Sequence, residues 1–101
     1  MGGDWKDMFY GVQTNNFELV TYYCKMGIDI NYQHPEFLTS PLIESIRCNH
    51  LDMMVFLLEN SALPHLKEAD SNKTPFEIAK ELGNKKALTL LEKYKKSDTT
   101  L

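Results

Sequence analysis

Ser40-Pro41-Leu42-Ile43-Glu44-Ser45-Ile46-Arg47-Cys48-Asn49-His50-Leu51-Asp52-Met53-Met54-Val55-Phe56-Leu57-Leu58 is the stretch whose reading decides the fold. Ser40 can cap a helix, and Pro41 suits the first helical position, where its missing N–H is not needed. Leu42, Ser45 and Ile46 then fall at helical spacing. The small Ser45 lets a neighbouring helix approach closely. Asn49 tolerates the left-handed conformation that ends a helix. A second, more apolar segment follows, carrying Leu51, Met53, Met54, Phe56, Leu57 and Leu58. The stretch therefore predicts a helix–turn–helix pair with a short first helix.

The unit recurs on both sides. Thr74-Pro75-Phe76 follows Ser40-Pro41-Leu42 by 34 residues, and His50-Leu51-Asp52-Met53-Met54 follows Asn16-Phe17-Glu18-Leu19-Val20 by the same 34. In the last copy Thr74 and Glu77 form a capping box. Ala79 is its small residue, Gly83 ends the first helix, and Ala87, Leu88, Leu90, Leu91 and Tyr94 build the second. In the first copy Gly11 is the small residue and Asn15-Asn16 the turn, with Phe17, Leu19, Val20, Tyr23 and Cys24 as the apolar stripe. Units of this length bury their apolar faces only by stacking on one another. The expected organisation is one domain over residues 1–101, with repeats at about 6–39, 40–73 and 74–96 and a frayed tail at 97–101.

These residues carry a family resemblance. The pattern T-P-L-x-x-A, then G-H-x-E-I-V-x-x-L-L, then G-A-D-V-N is that of the ankyrin repeat. Ser40 to Ser45, His50 to Leu58 and Gly27-Ile28-Asp29-Ile30-Asn31 resemble its three parts. The resemblance spans about residues 5–95 and implies an all-α ankyrin-repeat solenoid of three helix-turn-helix units joined by extended fingers. Asn31 to Phe37 bears a softer resemblance to short bacterial members. The sequence departs from the pattern in places. The spacing is 34 where the family's common length is 33, which lengthens each finger by one residue. The family's His after T-P-L is replaced by Phe9, Ile43 and Glu77. The second finger, Ser61-Ala62-Leu63-Pro64-His65-Leu66, lacks the Gly and Asp of the pattern.

Composition bounds the function. With 43% apolar and 25% charged residues the chain reads as an ordinary globular protein of net charge -3. Residues 1–66 carry three basic and eight acidic side chains, and residues 67–101 carry eight and six. The lysines of the second part, among them Lys80, Lys85, Lys86, Lys93, Lys95 and Lys96, lie among acids and read as a solvated helix face. A nucleic-acid partner needs a more basic domain, so none is expected. No apolar run is long enough to span a membrane, and the start lacks a signal peptide's apolar stretch. Gly2 invites N-myristoylation, but Lys6 stands where that motif wants Ser or Thr. Two cysteines do not make a disulfide framework, so a reduced cytoplasmic setting is the expectation.

Catalytic and metal readings fare poorly. Cys24 lies on an apolar stripe and reads as a core thiol, and nothing local activates Cys48. His50 matches the family's structural His at the second helix, whereas His34 and His65 lack partners at a zinc spacing. Met53 and Met54 read as core packing. No phosphate loop or nucleotide fingerprint is present. No catalytic residue, metal or cofactor is expected.

The resemblance implies binding through the finger tips and the exposed face of the first helices. Carried over residue by residue, that surface comprises Trp5, Gln13 and Thr14 in the first copy. The second copy supplies Glu36, Phe37, Thr39, Arg47 and Cys48, and the third Asp70, Ser71, Lys73 and Glu81. Tyr32 and Gln33 neighbour it at the finger base. Trp5, Phe37 and Arg47 stand out, because Trp and Arg are enriched in binding hot spots. Against this, Trp5 also suits a cap over the open end of the stack, Phe37 packing under its own finger, and Arg47 plain solvation. The leading expectation is a non-catalytic module that binds a protein partner. The alternative is a self-associating homodimer, and a thiol- or His-dependent enzyme or regulator ranks third.

Overall fold

The computed structural model describes residues 2–98, and side chains for 3–95. Six helices run in order: α1 Gly2–Gln13, α2 Phe17–Lys25, α3 Pro41–Arg47, α4 Leu51–Glu59, α5 Pro75–Glu81 and α6 Lys85–Asp98. Among the described residues there is no strand. Consecutive helices pair as α1/α2, α3/α4 and α5/α6. The first helices stack α1 on α3 on α5, and α4 packs on α6. Phe17 of α2 meets Phe56 of α4 edge-on, with ring centroids 5.8 Å apart.

Local chemistry explains each boundary. The Ser40 hydroxyl accepts from the Ile43 N–H at 3.2 Å, with Pro41 just inside the helix. Thr74 and Glu77 complete both halves of the capping box. Asn16 and Asn84 cap α2 and α6 through their side-chain oxygens. The intervening turns need a positive φ, which falls at Asn15 (58°), Asn49 (57°) and Gly83 (67°). Asn and Gly are the residues that accept it most readily.

A column of small residues sets the spacing within each pair. Ser45 and Ala79 are fully buried. A Cβ added at Gly11 would stand 2.9 Å from Val20 Cγ2 and 3.3 Å from Leu19 Cβ. The core runs continuously through all units: Met8, Val12 and Val20, then Ile43, Ile46, Met53, Met54 and Leu57, then Ile78, Ala87 and Leu91. Burial of these side chains, at roughly 1.5–3 kcal/mol each, is the main force holding the stack.

The fingers span residues 26–40 and 60–74 and are braced to each other by two side-chain amides. Asn31 Nδ2 donates to the Ser61 carbonyl at 3.0 Å, and its Oδ1 accepts from Leu63 N–H at 2.9 Å. Gln33 Nε2 donates to the Lys67 carbonyl at 2.8 Å, and its Oε1 accepts from Ala69 N–H at 2.7 Å. A backbone bond from Asp70 N–H to the Leu38 carbonyl, 3.0 Å, ties the tips.

α6 runs on through Asp98, past the expected end of the last repeat at about 96, and 99–101 lie outside the described residues. α1 starts at Gly2, more than a turn before position 7, the match of Pro41 and Pro75. That extra turn carries Trp5 and changes its role.

Candidate functional site

The extra turn of α1 lies against the first finger. Trp5 is only 3% exposed, and its Nε1–H donates to the Tyr32 carbonyl at 2.9 Å. Its ring stacks on Phe9 at 4.7 Å and lies 5.6 Å from Phe37 and 5.5 Å from His34. The surface position expected for Trp5 is therefore not what the fold gives. It is the floor of an aromatic cluster, closing the first repeat against its finger. Phe37 rests on this floor, 5.1 Å from Phe9, and still keeps 41% of its surface exposed. Leu38 beside it is equally exposed at 41% and has φ 55°. Lys6 and Glu36 pair at 2.8 Å along the edge, which holds the Glu36 carboxyl below its ordinary range.

The second group centres on Glu68. Its side chain is 1% exposed and takes both nitrogens of the Arg47 guanidinium, Nη2 to Oε1 at 2.8 Å and Nη1 to Oε2. Ser71 Oγ donates to the same carboxylate at 2.7 Å and accepts from Lys73 N–H at 3.2 Å. These donors, Arg47 foremost, pull the Glu68 pKa down from 4.5 to about 2. Arg47 thus does more than solvate α3: it locks the second finger to the helix. Thr39, expected on the surface, is buried at 6% under this lock, because the chain turns inward there to reach the Ser40 cap.

The other candidates fall at the sides. Gln13 Nε2 donates to Glu44 Oε2 at 3.0 Å, and the Cys48 thiol points at that same oxygen, 3.8 Å away. Thr14 donates to the Tyr10 carbonyl of its own helix at 2.8 Å and joins no cluster. Lys73 pairs with Glu81 at the end of α5. Asp70 is exposed at the second tip, within electrostatic reach of Arg47 together with Glu44. The structure therefore gathers Glu36 and Phe37 over Trp5, then Arg47, Asp70 and Ser71 around Glu68, and Gln13 and Cys48 around Glu44.

Three residues of this surface escape sequence reasoning: Glu68, Glu44 and Leu38. Tyr10 lies on the Lys6–Gln13 stripe of α1 and is 60% exposed. Leu38 had a usable signal, since it matches Asn72 of the next finger and Asn favours positive φ. Glu68 had none, because its partner lies 21 residues away.

Burial first, then the Glu44 charge, pushes the Cys48 thiol up, and burial does the same to Cys24. A nucleophilic thiolate needs the opposite shift. Among the described residues no group of three or more His, Cys, Asp and Glu side chains could hold a metal. Each histidine has a structural contact: His34 Nδ1 accepts from Glu36 N–H, His50 bonds the Val12 carbonyl at 3.1 Å, and His65 stacks on Phe76. A shallow groove of ≈ 570 Å³ runs from Ile46 and Arg47 to Leu82 and Lys86. No described helix is long and apolar enough to cross a membrane.

A family model described as ankyrin repeats in many copies matches residues 8–58. No curated protein and no solved structure matches.

Proposed function

The chain belongs to the ankyrin-repeat family, and from that premise we propose that it is a non-catalytic module binding a protein partner through its finger tips and the exposed face of α1 and α3. Ankyrin repeats generally mediate protein–protein interaction. One observation carries the specific reading: Phe37 and Leu38 stand half-exposed on a tip held from below by Trp5 and from the side by the second finger. An apolar tip already fixed in place binds with little loss of conformational freedom. The mild charge fits a protein better than nucleic acid or a membrane surface. The two free thiols fit a reducing, cytoplasmic setting.

The test is affinity capture from a lysate of the native source with the wild type and a Phe37→Ala, Asp70→Lys double variant. Both substitutions are at exposed positions, whereas Arg47→Ala would strand the buried Glu68 carboxylate. Loss of a captured protein in the variant, with the circular dichroism unchanged, is the expected result. An unchanged captured set contradicts the reading.

Self-association is the second reading. It is favoured by exposed Tyr10, Tyr22 and Met26 on the first repeat. Mass that rises with concentration, and falls on Tyr22→Lys, would support it over the first.

A further inference from the structure

Seven described residues have positive φ, and five of them are Asn or Gly. The other two are Ser61, at the end of α4, and Leu38, whose branched side chain gains nothing from that conformation. The matching position of the next finger is Asn72, which accepts it readily. Leu38 is not held there by burial either, since 41% of it is exposed. A strained, half-exposed leucine next to a half-exposed phenylalanine marks a surface kept for something other than folding.

The surroundings say what kind of partner fits. Asp70 N–H donates to the Leu38 carbonyl at 3.0 Å, which fixes the second tip beside the leucine. Arg47 feels three carboxylates, those of Glu68, Glu44 and Asp70. One guanidinium against three carboxylates leaves two negative charges on this part of the surface. The neighbouring lysines do not compensate them, because Lys6 is paired with Glu36, Lys73 with Glu81, and Lys67 acts on Glu77. Glu68 is buried and satisfied by Arg47 and Ser71. The excess therefore resides on Asp70, beside the apolar tip, and on Glu44 of α3, beside Gln13 and Cys48.

Resting on the finger-tip reading above, we propose that the Phe37–Leu38 tip and its acidic flank dock a peptide segment of the partner that carries an apolar side chain next to arginine or lysine. The apolar residue seats against Phe37 and Leu38, and the cation meets Asp70. Attraction between the charges sets the encounter rate and its salt dependence, and apolar contact supplies the hold.

The experiment is selection of a random peptide library on the full chain, followed by titration of the selected peptides with Trp5 emission as the signal. Trp5 is the single tryptophan and underlies Phe37, so occupancy of the tip reaches it directly. The library omits Trp, and the expected peptides place Arg or Lys beside Leu or Phe. Leu38→Asn and Asp70→Lys each weaken them by about tenfold, equivalent to 1.4 kcal/mol. Leu38→Asn should at the same time raise the melting temperature, which separates lost contact from lost folding. Selected peptides that are acidic or purely apolar, yet lose affinity on Phe37→Ala, overturn this inference and leave the finger-tip reading intact. Peptides indifferent to all three variants overturn both. An empty selection overturns the inference, as does a concentration-dependent dimer that Leu38→Asn abolishes, which would assign the tip to a second copy.

Discussion

A serine in a glycine's place shows how single residues set this fold's stability. Gly27 closes α2 with φ 90°, and the matching residue after α4 is Ser61, forced to φ 78°. Ser61→Gly should stabilise the protein by about 1 kcal/mol, a relief of left-handed strain only partly offset by glycine's entropy. Thermal unfolding checks it, and a lower melting temperature would contradict the strain argument. Glu68 gives the opposite case. Glu68→Gln should destabilise by about 2 kcal/mol at neutral pH, less than a fully buried pair because Arg47 is part exposed. Its pH dependence has a definite sign. The folded carboxyl titrates at about 2 and its ordinary value is 4.5, so on acidification the unfolded chain takes up the proton first. The contribution is whole above 4.5 and is lost as the pH falls through about 2. Urea midpoints of wild type and Glu68→Gln should therefore converge across that window. A gap that stays constant would mean the lock is not electrostatic.

Elements are specified by caps, spacers and braces, and each can be broken separately. Removing the Thr74 cap with Thr74→Ala should cost about 1 kcal/mol, read by urea unfolding. Gly11→Ala sets two effects against each other. Helix propensity favours alanine by about 1 kcal/mol, while overpacking costs roughly 1–3 kcal/mol. With Val20 Cγ2 at 2.9 Å from the new Cβ, overpacking should win and the variant should be less stable. A more stable Gly11→Ala would show that Val20 yields freely. The finger braces are testable by hydrogen exchange. Asn31→Ala should free the Leu63 amide and Gln33→Ala the Ala69 amide, with core amides of α4 unchanged. Exchange that accelerates everywhere would mean the fingers hold the stack and not merely each other.

The whole molecule was legible where its signals are local and recur at 34 residues. Ser40-Pro41 and Thr74-Pro75 announce helix starts, Asn15, Asn49 and Gly83 announce turns, and Gly11, Ser45 and Ala79 announce close packing. Each depends on a few neighbouring residues, so three copies in phase fix the helix pairs. The surface was less legible, because exposure is decided between units. Trp5 read both as a surface anchor and as an end cap until the extra turn of α1 carried it under the first finger. Thr39 sinks because Ser40 must cap α3. Glu68 looks like one more surface acid until Arg47 and Ser71 meet it from elsewhere in the chain.

Binding of a protein through the finger-tip side puts Phe37 at the contact and leaves Tyr22 outside it. The most direct measurement places a photo-crosslinking phenylalanine analogue at Phe37 or at Tyr22, in a lysate of the native source. Finger-tip binding gives a covalent adduct with another protein from position 37 and none from position 22. An adduct from Tyr22 alone would contradict it and move the interface to the second helix of the first repeat.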